Sequence, residues 1–299
     1  KGSSYTATFE DFLKGRGMPV TDLEFGPDGA MYFTVGGRGT QAGLYRVSYV
    51  GSSDKAVPQA GTTVAESEDR AAAEARKLRR QIERFHGKQD PQAVAAAWPH
   101  LNSDDRFLRY AARLAIESQP VEQWRERALA EKQPRAGLQA LLALVRCGTK
   151  EDQTAVLKGL ASWPLDSLDE PLKLDKLRVI ELAFIRHGRP SEEIVKLALE
   201  KLGRQYPAKT FPLNRELSQL LVWLGAPDFV EKTLRLLKNA EKQEEQIWYA
   251  FVLREAKAGW TPEQRAEYFA WFNKARAYKG GNSFSKFIER IKDQALAAV

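Results

Sequence analysis

Gly259-Trp260-Thr261-Pro262-Glu263-Gln264 reads as the stop of one helical segment and the start of the next. A glycine ends a helix where the backbone turns to positive φ, Thr261 supplies the N-cap, Pro262 suits the first helical position, and Gln264 completes a capping box. The same punctuation recurs upstream: Cys147-Gly148-Thr149 with Asp152 behind it, His187-Gly188 before Pro190-Ser191-Glu192-Glu193, and Leu224-Gly225-Ala226-Pro227-Asp228. The four glycines stand 40, 37 and 34 residues apart, and each interval holds two amphipathic segments of helix length, such as Thr154–Trp163 and Leu172–Arg186. A two-helix unit repeating every ~35–45 residues is the pattern of a HEAT-like α-solenoid, whose repeats bury a core only by stacking. Five irregular helix pairs are expected from 90 to 259, with a closing helical segment to Val299. Glycines 148, 188, 225 and 259 should lie just past helix ends in the left-handed region. Asp90-Pro91 is expected to open the first pair, with Asp90 as N-cap.

Upstream of these repeats, Ala71, Ala75, Leu78, Ile82 and Phe85 fall on one helical face, so the helical region begins near residue 66. Residues 51–65 read as a linker, and residues 1–50 as a small antiparallel β segment. The fold class is therefore mainly α: a HEAT-like α-solenoid over 66–299 preceded by that segment. Val20–Phe25 is a strand ending in the turn Gly26-Pro27-Asp28-Gly29, Met31–Val35 is the second strand, and Leu44–Val50 is the third. Tyr5–Phe12 adds an edge strand or a helical turn. Three strands need cover on their apolar face. Either the helices that follow or a neighbouring part of a larger protein has to provide it.

The 299 residues carry 46 Lys and Arg against 39 Asp and Glu, a net charge of +7. With 43% hydrophobic residues the chain has material for a core. The single cysteine, Cys147, excludes an internal disulfide and any Cys-x-x-Cys-His haem attachment. No apolar stretch is long enough for a membrane-spanning helix. Lys1 is followed by no signal-like apolar segment, which suits a processed exported protein or a piece of a longer one.

The basic excess is concentrated. Residues 70–88 hold Arg70, Arg76, Lys77, Arg79, Arg80, Arg84 and Lys88 against Glu74 and Glu83, which is +5 of the whole +7. Arg76, Lys77, Arg79, Arg80 and Arg84 form the candidate interaction surface, expected on the outward face of one helix. An ordinary solvated face explains the same run, and an acidic partner is the alternative. The three histidines, His86, His100 and His187, lack the i, i+3 or i+4 spacing of a helical metal pair. His86 and His187 suit last helical turns. Cys147 lies in an apolar run and reads as a small hydrophobe. Asp104 and Asp105 read as first-turn acids complementing a helix dipole, with a general acid–base pair as the sharper alternative. Trp223, Trp248, Tyr249, Phe251, Trp260, Tyr268, Phe269, Trp271 and Phe272 read as core, with a recognition groove as the alternative. The loop Gly36–Gly43 is not a phosphate loop, because it lacks the Lys-Ser/Thr ending. No catalytic or metal-ligating residue is expected.

Strand, Gly-Pro-Asp-Gly turn, strand, glycine loop, strand is the layout of one propeller blade. The wording of Pro19-Val20-Thr21-Asp22-Leu23, of Gly26–Thr34, and of Gly36–Val47 resembles one family, the large exported propeller–haem proteins of planctomycetes and their relatives. In that family a sorbosone/glucose-dehydrogenase-like β-propeller is followed by a helical-repeat region and a c-type haem domain. The likeness continues at Phe85-His86-Gly87-Lys88-Gln89-Asp90-Pro91, Trp98-Pro99, Asp105-Arg106-Phe107 and Ala111-Ala112-Arg113. It resumes at Glu244-Glu245-Gln246-Ile247, Tyr249–Arg254 and Phe272–Arg276. It covers the last blade and the helical region only.

The resemblance implies a non-catalytic scaffold or protein-interaction region of a dehydrogenase-like electron-transfer protein, in the periplasm or otherwise exported. This chain itself would hold no cofactor. Haem c and a quinone would belong to missing parts of the parent, whose propeller and haem domains would be the partners. Arg38 is then the one candidate cofactor contact, through the mouth of a complete propeller. The alternative is a nucleic-acid-binding HEAT-like protein such as an alkylpurine DNA glycosylase. That reading requires cations along a whole concave face, whereas most of the excess here sits in one helix, so a nucleic-acid partner is disfavoured.

Overall fold

The computed structural model describes residues 2–5, 7, 9–37, 39, 41–51, 70–281 and 283–298. The chain divides into two compact units, Lys1–Lys77 and Leu78–Val299. The expected linker, 51–65, lies almost wholly outside the described residues.

In the first unit, β1 (Val20–Phe25), β2 (Met31–Val35) and β3 (Gly43–Val47) form an antiparallel sheet in the order β1-β2-β3. The first two strands occupy the expected residues. The third ends at Val47 rather than Val50 because Val47 pairs with Met31, the first residue of β2, and the ladder has no partner beyond it. The described residues of Tyr5–Phe12 form neither a strand nor a helical turn. The turn between β1 and β2 holds Gly29 at φ 73°, and Asp28 accepts from Arg46 Nη2 at 2.9 Å and Tyr32 Oη at 2.9 Å. The Arg46 guanidinium, with help from Tyr32, holds the Asp28 carboxyl below its ordinary value.

Register sorts the side chains, since cross-strand partners share a face. Leu23, Phe33 and Tyr45 make one row, and Phe25, Met31 and Val47 make the next. A bulge between Val20 and Asp22 brings Val20 opposite Val35 on that same apolar face. The other face is mostly polar, with Glu24, Tyr32 and Arg46 aligned and Thr21 Oγ1 at 2.9 Å from Thr34 Oγ1. Phe33 and Val35 are buried in the central strand, yet Leu23, Phe25 and Tyr45 beside them are 47%, 65% and 48% exposed.

The remaining structure is helical. Beyond residue 51 no strand occurs among the described residues. Helix α1 (Arg70–Glu83) crosses the division between the units, and the second unit continues with α2 (Ala93–Ala97), α3 (Arg106–Glu117), α4 (Arg125–Ala130), α5 (Pro134–Cys147) and α6 (Gln153–Ala161). Then come α7 (Glu170–His187), α8 (Glu192–Gly203), α9 (Phe211–Leu224), α10 (Phe229–Asn239), α11 (Gln243–Leu253), α12 (Pro262–Ala275) and α13 (Phe284–Ala297). Packing follows a rule: α5 lies between α3 and α7, α7 packs on α9, α9 on α11, and α11 on α13. Between these, α6, α8, α10 and α12 each pack against the helix that follows. Apolar side chains from all of them form one continuous core.

Caps explain most helix starts. Asp105 accepts from the backbone of Phe107 and Leu108, Asp169 from Leu172, and Ser191 from Ile194. Thr149 with Asp152, and Thr261 with Gln264, close reciprocal capping boxes. Asp90 instead accepts from Gln92 N at 2.8 Å and precedes the helix, which begins only at Ala93. The glycine stops are less uniform than expected. Gly225 is left-handed (φ 80°, ψ 44°), but Gly188 pairs a positive φ with extended ψ, and Gly148 is extended at φ −78°. Gly259 has φ 84° but stands well past the end of α11 at Leu253.

Gly137 of α5 is set by a neighbour. A Cβ there would come within 2.1 Å of the Trp163 ring, which is buried and donates from Nε1 to the Lys132 carbonyl at 3.2 Å. Gly137→Ala should therefore destabilise by about 2 kcal/mol, despite alanine's better helix propensity. Urea unfolding checks this, and Trp163→Phe in the same chain should recover part of the loss.

Candidate functional site

The expected basic surface on α1 is only partly a surface. Arg76 is buried, with its guanidinium over the Tyr5 ring at 4.8 Å, so it does not face outward. Arg79 is half-buried and pairs with Glu83 at 3.1 Å. Lys77, Arg80 and Arg84 remain exposed. The run reads as five outward cations because sequence periodicity cannot see Tyr5 arriving from far away in the chain. Arg38 lies outside the described residues.

His86 Nε2 lies 2.8 Å from the Ala111 carbonyl, and His187 is buried in the last turn of α7. Burial lowers the His100 pKa. Asp105 caps α3, and Asp104 pairs with Arg135. Cys147 is half-buried, with Sγ 3.7 Å from the Glu117 carbonyl, and burial pushes its thiol up. A thiol so placed, with no second cysteine in the chain, does not fit covalent haem attachment. Among the described residues no group of three His, Cys, Asp or Glu converges as a metal site.

A cleft of about 750 Å³ lies where α7, α9 and α11 end. Trp223 forms its ledge: its ring stacks on Phe184 at 4.9 Å yet stays 44% exposed. Ile185 beside it is 67% exposed. Arg189 donates to the Trp223 and Leu224 carbonyls at 3.3 and 3.4 Å, holding the open end of α9, with its guanidinium carbon 5.6 Å from the Trp223 ring. Arg254, at the end of α11, lies 3.5 Å over Phe251, and burial lowers its pKa although Glu255 pairs with it at 3.0 Å. Lys257 completes the cationic side. An aromatic ledge between fixed guanidiniums suits non-covalent recognition. Of these side chains sequence reading singled out Trp223 and Phe251, as core with a recognition groove as the alternative. The Gly225 stop beside Trp223 was the available signal that this aromatic stands at a helix end.

The sequence matches no protein-family model and no curated protein.

Proposed function

We propose that this chain is a non-catalytic interaction and scaffold segment, one propeller blade followed by a HEAT-like solenoid, of a larger exported propeller–haem protein of dehydrogenase-like type. The observation that carries the reading is the one-sided sheet. Leu23, Phe25 and Tyr45 leave one apolar face only partly covered, and a neighbouring blade of a propeller would cover it. The repeat is supported by side-chain bonds of similar reach. Gln119 to the Lys88 carbonyl, Gln153 to Gly188, Arg186 to Val145, Trp248 to Ser218 and Gln243 to Lys279 span 30 to 41 residues. Each ties a helix pair to the next, as stacked repeats require.

In this reading the solenoid spaces a propeller from an electron-accepting haem domain, and the Trp223 cleft receives one of these partners. Haem c, and a quinone if the propeller uses one, reside in those other domains. The setting is the periplasm or another exported compartment. The coding sequence on either side of this chain tests the proposal. Further blade repeats upstream and a Cys-x-x-Cys-His motif downstream are expected, and a reading frame confined to these 299 residues would overturn it.

A further inference from the structure

A second cleft, of about 270 Å³, lies between α6, α7 and α8. Its walls are apolar, with Leu160, Leu165, Ile180 and Leu202 buried and Leu197 open at the rim. Into this lining comes Lys176, only 6% exposed. Its ammonium donates to the Trp163 carbonyl at 2.6 Å, and among the described residues no carboxylate lies within 4.0 Å of it. An ammonium has three N–H donors, so two have no protein partner among the described residues. Burial, with Lys201 nearby, pulls this amine down to about 8. A buried cation without a counter-ion is costly and calls for an anion.

Lys158, Lys201 and Arg204 also line the cleft, against Asp166 alone. Arg204 is paired with Glu200 at 2.6 Å, and Asp166 accepts from Gln205 at 3.1 Å. The excess is therefore positive, and the polar side chains other than the lysines are already engaged. Such walls match an alkyl chain better than a peptide, whose amides would need partners.

We propose that this cleft binds a medium-chain alkyl carboxylate, its head on Lys176 and its tail along Leu160, Ile180 and Leu197. The site is independent of the propeller–haem reading.

The test is calorimetric titration of the full chain at pH 7 with sodium decanoate below its micelle concentration. One-to-one binding is expected, weakened about tenfold or more in Lys176→Met, with decanol and acetate each binding at least about tenfold more weakly than decanoate. Lys158→Ser, at the rim, should change affinity by less than about threefold. Equal binding by the wild type and Lys176→Met, or no binding of decanoate at all, would overturn the proposal. So would tighter binding of a short peptide ending in a free leucine carboxylate, which would assign the cleft to a chain terminus.

Discussion

Trp124→Ala should lower the unfolding free energy of the helical unit by about 4 kcal/mol. Trp124 is 0% exposed and donates from Nε1 to the Gln119 carbonyl at 3.2 Å. Truncation removes the whole indole from the core and leaves the Gln119 carbonyl without its donor. Gln119 is itself a junction: its side-chain amide donates to the Lys88 and Ala115 carbonyls, and its Oε1 accepts from Asp90 N. Losing the ring therefore loosens a bond that spans 31 residues as well as a packing contact. Trp124→Phe should restore most of the apolar burial and recover all but about 1 kcal/mol, the worth of the lost hydrogen bond. Urea unfolding followed by far-ultraviolet circular dichroism measures both. A Trp124→Ala loss under about 1 kcal/mol would contradict the burial assigned to this residue.

The second large effect has a pH signature. Lys176 is depressed from 10.5 to about 8, chiefly by burial. Below pH 8 both the folded and the unfolded chain carry the proton, and the folded state bears a charge penalty of about 3 kcal/mol. Between pH 8 and 10.5 the unfolded state holds more of the proton than the folded one, so this residue makes stability rise with pH. Above 10.5 the penalty is gone. Lys176→Met removes the penalty but leaves the Trp163 carbonyl without a donor, at about 1 kcal/mol. The variant should thus be more stable than the wild type by about 2 kcal/mol at pH 7 and less stable by about 1 kcal/mol at pH 10.5. Burial pushes the hydroxyls of Tyr206 and Tyr268 upward, and that of Tyr249 up to about 12, but these act equally in both chains and cancel in the difference. A difference that is flat across this range would mean that Lys176 is not held as a buried amine.

Local chemistry made much of the fold legible. Capping boxes at Thr149 and Thr261, and the strands Val20–Phe25 and Met31–Val35, follow from residues adjacent in the chain. The glycine stops show where that reading ends. Glycine with a helix-start signal behind it marks a chain reversal, but whether the glycine becomes left-handed, as at Gly225, or extended, as at Gly148, depends on what the next segment packs against. The sites were less legible because each is made by distant partners. Lys176 stands in Lys173-Leu174-Asp175-Lys176-Leu177, where no neighbour in sequence signals burial; the Trp163 carbonyl and the walls of α6 and α8 enclose it. Asp175 next to it is half-buried, and burial pushes its carboxyl up. Arg76 fails the outward reading for the same reason, under a ring from the other end of its unit.

The most direct measurement is an immunoblot of extracts from the source organism with an antibody raised against this chain, combined with in-gel haem staining after denaturation. A band far above 33.7 kDa that keeps its haem stain is expected, because the blade and the helical repeats would be joined to a propeller and a c-type haem domain. A single band at 33.7 kDa with no haem stain would contradict the reading of this chain as one segment of a larger electron-transfer protein.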